Sequence, residues 1–162
     1  METMRGETVF LDTNVLLTAT DRSRRHHDDA RRILELANRS GIHLALSGQV
    51  LREYLVVATR PQDANGLGLS AEDALANAAK IRSRAVLCEE TAAVTARLES
   101  LVRIHNLTGR RIHDANIVAT MQAHGVSTLV SDNAGDFEAL AGVTLLGIPE
   151  ALRVMAAAAG QA

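Results

Sequence analysis

The chain has 162 residues, 47% apolar and 22% charged, with a net charge of −2 and a mean hydropathy of +0.04. This length fits one ordinary domain that can bury a core without disulfides. The composition excludes a disordered chain, the field advertises no polyanion binder, and no run approaches the ~20 apolar residues of a membrane span. Aromatic residues are only 2%, with no Trp, so Leu, Val, Ile and Ala must build the core. The single cysteine, Cys88, cannot form an internal disulfide. Within "RAVLCEE" it reads as a buried thiol, because a reactive one would want a His nearby. That usage suits a reducing cytoplasm. The N-terminal "METMRGETVF" carries no signal-peptide pattern. A single domain over 1–162 is expected, with its core at about 8–150 and an Ala-rich helix or tail after it.

In chain order, "TVFL" (8–11) reads as a short buried strand, and 13–19 begins a helix with Asp12 or Thr13 as cap. From Asp28, apolar positions at Ile33, Leu34 and Ala37 predict a helix stopped by Gly41. "HLALS" (43–47) is a second strand, and Ser47 caps a helix that ends before Pro61. The apolar face of that helix is Val50, Leu51, Tyr54, Leu55 and Ala58. A loop follows, and Ser70 with Asp73 forms a capping-box signal for a helix to about Arg82. "AVLC" is the third strand, and "TAAVTARLESLVRIHNL" the next helix. "GRRI" then reads as a separator before the helix "HDANIVATMQAHG". "STLVS" and "VTLLG" are the fourth and fifth strands, and Pro149 opens a terminal helix. Strands alternating with helices predict an α/β domain with a mostly parallel sheet of about five short strands flanked by helices.

In such sheets ligands bind beyond the carboxyl ends of the strands. Asp12 follows strand one and Asp132 follows strand four. On a helical wheel, Ile112, Ala115, Val118 and Ala119 form an apolar arc extended by Ile117 and Met121. Asp114 falls inside that arc, while His113, Asn116, Thr120 and His124 take the opposite side. An acid in the first turn complements the helix dipole, but this does not explain its apolar sector. Glu53 alone would be an ordinary solvated glutamate. Its interest lies in company with Asp12, Asp114 and Asp132 or Asp136, each on a separate element. Gathered carboxylates raise one another's pKa, and a hard divalent cation resolves the repulsion. No zinc-type Cys/His spacing, Walker A sequence, G-x-G-x-x-G or G-x-S-x-G is present. The chemistry left to an acid-only site is metal-assisted attack on phosphate.

These residues resemble PIN-domain ribonucleases, and among them the VapC-type toxins of toxin–antitoxin pairs. The likeness spans about 8–150. "FLDTNVLL" looks like the family's first motif and "SGQVLREYLVVATRP" like the second. "HDANIVATMQAHGVSTLVSDNAGDF" looks like the third and fourth run together. The resemblance implies a Mg²⁺- or Mn²⁺-dependent endoribonuclease leaving 5′-phosphate and 3′-hydroxyl ends. By the same likeness, Asp12 and Asp114 hold the metal, Glu53 completes the shell, Thr13 steadies the Asp12 carboxylate and Asn14 braces the turn. Asn133 stands where many members carry Asp and still offers a supporting neutral oxygen, so the fourth acid is Asp132 or Asp136. It further implies an RNA substrate, homodimers and a VapB-like antitoxin.

Two basic stretches offer phosphate contacts, "DRSRRHHDDARR" and "GRRIHD". Arg110 and Arg111 are favoured because they immediately precede Asp114. For the first stretch, a solvated helix face with Asp28 and Asp29 pairing in place competes evenly. Two other functions come under consideration. A non-catalytic PIN-like module binding RNA or protein is opposed by acids at every major motif position. A D-x-D phosphatase fails at Asn14.

Overall fold

A computed structural model describes residue 4 and residues 6–140 and 142–160. Part of the N-terminal stretch read for a signal and the end of the Ala-rich tail therefore lie outside the described residues. Five strands, β1 (Thr8–Leu11), β2 (His43–Ser47), β3 (Ala85–Cys88), β4 (Thr128–Val130) and β5 (Thr144–Leu146), form one sheet in the order β3-β2-β1-β4-β5. Every neighbouring pair is parallel, with Val9 against Leu44 and Phe10 against Leu129 in register. Seven helices pack around it: α1 (Thr13–Thr20), α2 (His27–Ser40), α3 (Gly48–Thr59), α4 (Ala71–Arg82), α5 (Ala92–His105), α6 (Arg111–Ala123) and α7 (Ile148–Ala159). Among the described residues no helix is long and apolar enough to cross a membrane.

The sheet order positions the site. From β1 the chain builds outward through β2 to β3, then returns to the other side of β1 for β4 and β5. The direction of winding thus reverses between β1 and β4. In open parallel sheets that reversal opens a crevice beyond the carboxyl ends of the two strands. Asp12 and Ser131 are the residues leaving those two strands.

The local signals explain most element boundaries. Asp12 caps α1 by accepting from the Thr13 N–H. The Ser47 and Ser70 hydroxyls accept from Val50 and Asp73 to cap α3 and α4, and Gly41 closes α2 in the left-handed region. The central strands are buried on both faces, so they read as continuous apolar runs instead of alternating ones. Tyr54 is fully buried, and its hydroxyl finds Thr20 Oγ1 at 3.0 Å. Cys88 is buried and burial pushes its thiol pKa up, as expected of a structural thiol.

Three expectations need correction. "GRRI" is no separator: α6 starts at Arg111, because Ile112 and His113 already donate to the Gly109 and Arg110 carbonyls. Thr120, placed on the polar side, is fully buried; its hydroxyl is satisfied by the Asn116 carbonyl at 2.8 Å. Ile112, placed in the apolar arc, is exposed, since residues 111–113 at the start of α6 all lie in solvent before the burial begins.

The loop joining α3 to α4 folds tightly back on itself at Gly66. A Cβ added to Gly66 would stand 2.0 Å from the Arg60 carbonyl oxygen, an impossible approach to backbone. Gly66→Ala should therefore destabilise by about 2–3 kcal/mol in chemical unfolding, through forced movement of the turn. An unchanged midpoint would contradict the packing of this loop.

Candidate active site

The site begins with one buried carboxylate. Asp12 is 8% exposed, and its oxygens are held from two directions. Oδ1 accepts from the Thr13 N–H at 2.7 Å. Oδ2 accepts from Ser131 Oγ at 2.8 Å and from Asn14 Nδ2 at 3.1 Å. Asn14 Oδ1 accepts the Asp132 N–H at 3.0 Å, and Ser131 Oγ accepts the Asn133 N–H at 3.0 Å. This ring of bonds ties the end of β1 to the end of β4 across the switch point. It also explains why "DTN" interrupts an apolar run.

Thr13 does two things. Its N–H donates to Asp12, while its hydroxyl donates to Glu53 Oε2 at 2.9 Å. One residue therefore fixes two acids brought from β1 and α3. The other Glu53 oxygen accepts from Gln49 Nε2 at 2.9 Å and lies 3.8 Å from His113 Nδ1. Gln49 is nearly fully buried. Its Nε2 also donates to the His113 carbonyl at 3.0 Å, and its Oε1 accepts from Asn116 Nδ2 at 2.6 Å. Its backbone N–H donates to Glu90 at 3.1 Å. Gln49 thus locks the first turn of α3 to the first turns of α6, and so sets Glu53 relative to Asp114.

Asp114 is half-buried in the first turn of α6. Burial raises its pKa first, then the charges of Asp136 and Glu53. Arg110 and His113 act in the opposite sense. Asp12 is displaced further, from 3.8 to about 6. Burial is the main cause, the bonds from Ser131 and Thr13 oppose it, and Asp114 and Glu53 add repulsion. Desolvation and like charge together outweigh the hydrogen bonds.

Of the two flanking acids, the charge of Asp136, on the single 3-10 turn after β4, is the one that Asp114 feels. Asp132, Asn133 and Asp136 are all exposed, and what Asp132 and Asn133 contribute to the ring is the backbone N–H. Arg110 caps α6 close enough to lower the Asp114 pKa, whereas Arg111 lies exposed beside it with no ion pair among the described residues. Sequence reasoning missed Gln49, Asn116, Glu90 and the role of the Ser131 hydroxyl. The one available signal was the i,i+4 spacing of Gln49 and Glu53.

The acids that converge here offer carboxylate oxygens, and Arg110 and His113 offset only part of the burial and like charge that raise the Asp114 pKa. Such a set suits Mg²⁺ or Mn²⁺. Among the described residues, no three His, Cys, Asp or Glu side chains are already closed into a ligand cage. Mg²⁺ needs none: it is usually held by one or two carboxylates with waters and substrate phosphate.

The PIN domain model matches residues 9–143, and the chain belongs to that family. No curated protein matches the sequence. Among solved structures it is similar to VapBC2 of Rickettsia felis bound to a promoter DNA fragment, with 20% identity and a TM-score of 0.66 over 86% of this chain and 98% of that one. It is similar to VapC20 of Mycobacterium tuberculosis, a toxin that cleaves the sarcin-ricin loop, with 22% identity and a TM-score of 0.63 over 83% and 96%. The DNA-bound VapBC of Salmonella typhimurium gives 19% identity and a TM-score of 0.64 over 88% and 98%.

The raised Asp12 pKa has a consequence for stability. A carboxyl whose folded pKa exceeds its unfolded value stabilises fully below the unfolded value and loses that contribution as pH rises through the folded one, here about 6. In EDTA, wild type should lose up to ~3 kcal/mol relative to Asp12→Asn between pH 4 and pH 7.5. A difference that stays flat across this range would mean that Asp12 ionises normally.

Proposed function

We propose that this chain is a divalent-metal-dependent endoribonuclease and the toxin of a VapBC-type pair. The observation carrying the reading is the buried Asp12, its pKa pushed to about 6, set beside Glu53 and Asp114 where the sheet reverses. The burial of a charge against other charges is costly, and it is retained where it has work to do. Family membership supports a nuclease, and the VapBC likenesses support the toxin role and a VapB-like antitoxin as partner.

In this reading Asp12 and Asp114 hold the metal, with Glu53 completing the shell and Asp136 as the fourth acid. A bound Mg²⁺ or Mn²⁺ lowers the pKa of water and neutralises charge on phosphoryl oxygens. The chain's own part is positioning. Ser131, Asn14 and the Thr13 N–H fix the Asp12 carboxylate, so no reorganisation is needed when substrate arrives. The Thr13 hydroxyl and Gln49 aim Glu53. Arg110 stands where a phosphate beside Asp114 would pass, and Arg111 adjoins it. Attack in line with the departing 3′ oxygen leaves 5′-phosphate and 3′-hydroxyl ends. A homodimer belongs to the same proposal. Val56 and Leu75, 50% and 57% exposed on adjoining α3 and α4, offer it apolar surface.

Purified protein should cut total RNA with Mg²⁺ or Mn²⁺ and not with EDTA. Asp12→Asn and Asp114→Asn should each lower the rate at least ~10²-fold. Cuts that survive EDTA and both substitutions would contradict the carboxylate–metal reading. A folded, antitoxin-free protein that binds RNA without cutting it would favour the non-catalytic module.

A further inference from the structure

A second concave feature lies at the other end of α1. Where α1 ends, α2 begins and α4 finishes, the surface forms a cleft of about 420 Å³. Arg22, His27, Arg31, Lys80 and Arg84 line it, against a single acid, Glu35. The four Arg and Lys cations come from three separate parts of the chain in a protein whose net charge is −2.

The alternative for the basic stretch was a face neutralised by its own acids. The structure answers this in part. Asp21 pairs with Arg24 and Asp29 with His26, each at 3.4 Å, while Glu35 lies 3.7 Å from Arg31. Arg22, Lys80 and Arg84 are exposed and have no ion pair among the described residues. His27 Nδ1 lies 2.9 Å from the Thr18 carbonyl. A carbonyl only accepts, so Nδ1–H is the donor in this contact, and the cleft's phosphate contacts fall to its Arg and Lys side chains. Of the apolar residues of the lining, Leu34 and Ile81 are only 6% and 5% exposed, and Ala19 carries a single methyl. A protein partner would find little apolar surface to bury here, whereas a polyanion would find unpaired cations.

The position also fits. Ala19 and Thr20 at the end of α1 line the cleft, and Asp12 caps the start of the same helix. Eight residues at 1.5 Å rise put the two about 12 Å apart along α1, a span of about four stacked nucleotides. We propose that this cleft binds the phosphate backbone of a single RNA strand, a few nucleotides from the bond placed at Asp12. The inference rests on the endoribonuclease reading and adds to it a second anchor for the substrate.

The test uses Asp114→Asn protein in EDTA, so that RNA is bound and not cut. Fluorescence polarisation follows a labelled, mixed-sequence, single-stranded oligoribonucleotide across a range of salt. Combined Arg22→Ala, Lys80→Ala and Arg84→Ala should weaken binding at least ~10-fold at low salt and reduce the log–log salt slope by about 2. These side chains are exposed, so the melting temperature should not move. The control removes equal charge elsewhere through Arg97→Ala, Arg103→Ala and Arg153→Ala, and should keep the parent slope. An unchanged slope in the cleft variant, or an equal loss in the control, would overturn the proposal. So would a cleft variant that keeps RNA but loses a poly-Glu peptide, which would assign the surface to an acidic protein. Failure of the nuclease reading looks different: parent protein that binds no RNA and wild type that cuts none.

Discussion

The structure turns on the burial of one carboxylate. Asp12 leaves the central strand at the point where the sheet reverses direction, and solvent is largely excluded from it. Three donors hold its oxygens, yet burial and two neighbouring acids still lift its pKa to about 6. Hydrogen bonds to the ionised form should lower the pKa. Here they do lower it, but desolvation outweighs them and the neighbouring acids add to the rise. A dication placed among these oxygens would reverse the balance: the same acids that destabilise one another would then hold it together.

The supporting residues work by linking elements that are distant in sequence. Ser131 and Asn14 join the ends of β1 and β4. Thr13 joins β1 to α3, and Gln49 joins α3 to α6 and to Glu90 beyond β3. Each acid therefore inherits its place from the packing of the whole sheet. A buried polar network is costly unless its members are satisfied. Here the amides and hydroxyls are satisfied, and the carboxylates alone carry excess charge.

Much of this was legible in the sequence. Apolar runs marked all five strands; the central three need continuous hydrophobicity because they are covered on both faces, while the edge strands β3 and β5 are partly exposed. Ser47, Ser70 and Gly41 announced helix ends through local chemistry. Asp12 and Asp114 stood out as charges in apolar company. What escaped was set by tertiary contact. Thr120 is polar by type but satisfies its hydroxyl within its own helix, so it could be buried. Gln49 resembles any surface glutamine until α6 packs against it. Asp132 and Asp136 cannot be ranked from sequence, since the 3-10 turn after β4 decides which of them acts on Asp114. The cations of the second cleft, Arg22 and Arg31 on one side and Lys80 and Arg84 on the other, lie far apart along the chain and meet only in the fold.

The most direct measurement is a calorimetric titration of metal-free protein with Mg²⁺ near pH 6, repeated in buffers of different ionisation enthalpy. Asp12 is about half protonated there, so cation binding should release a fraction of a proton. Release should vanish by pH 8, and both binding and release should be lost in Asp12→Asn. Mg²⁺ binding that involves no proton at pH 6, or that survives the loss of Asp12, would contradict the claim that this buried carboxylate is the cation's ligand.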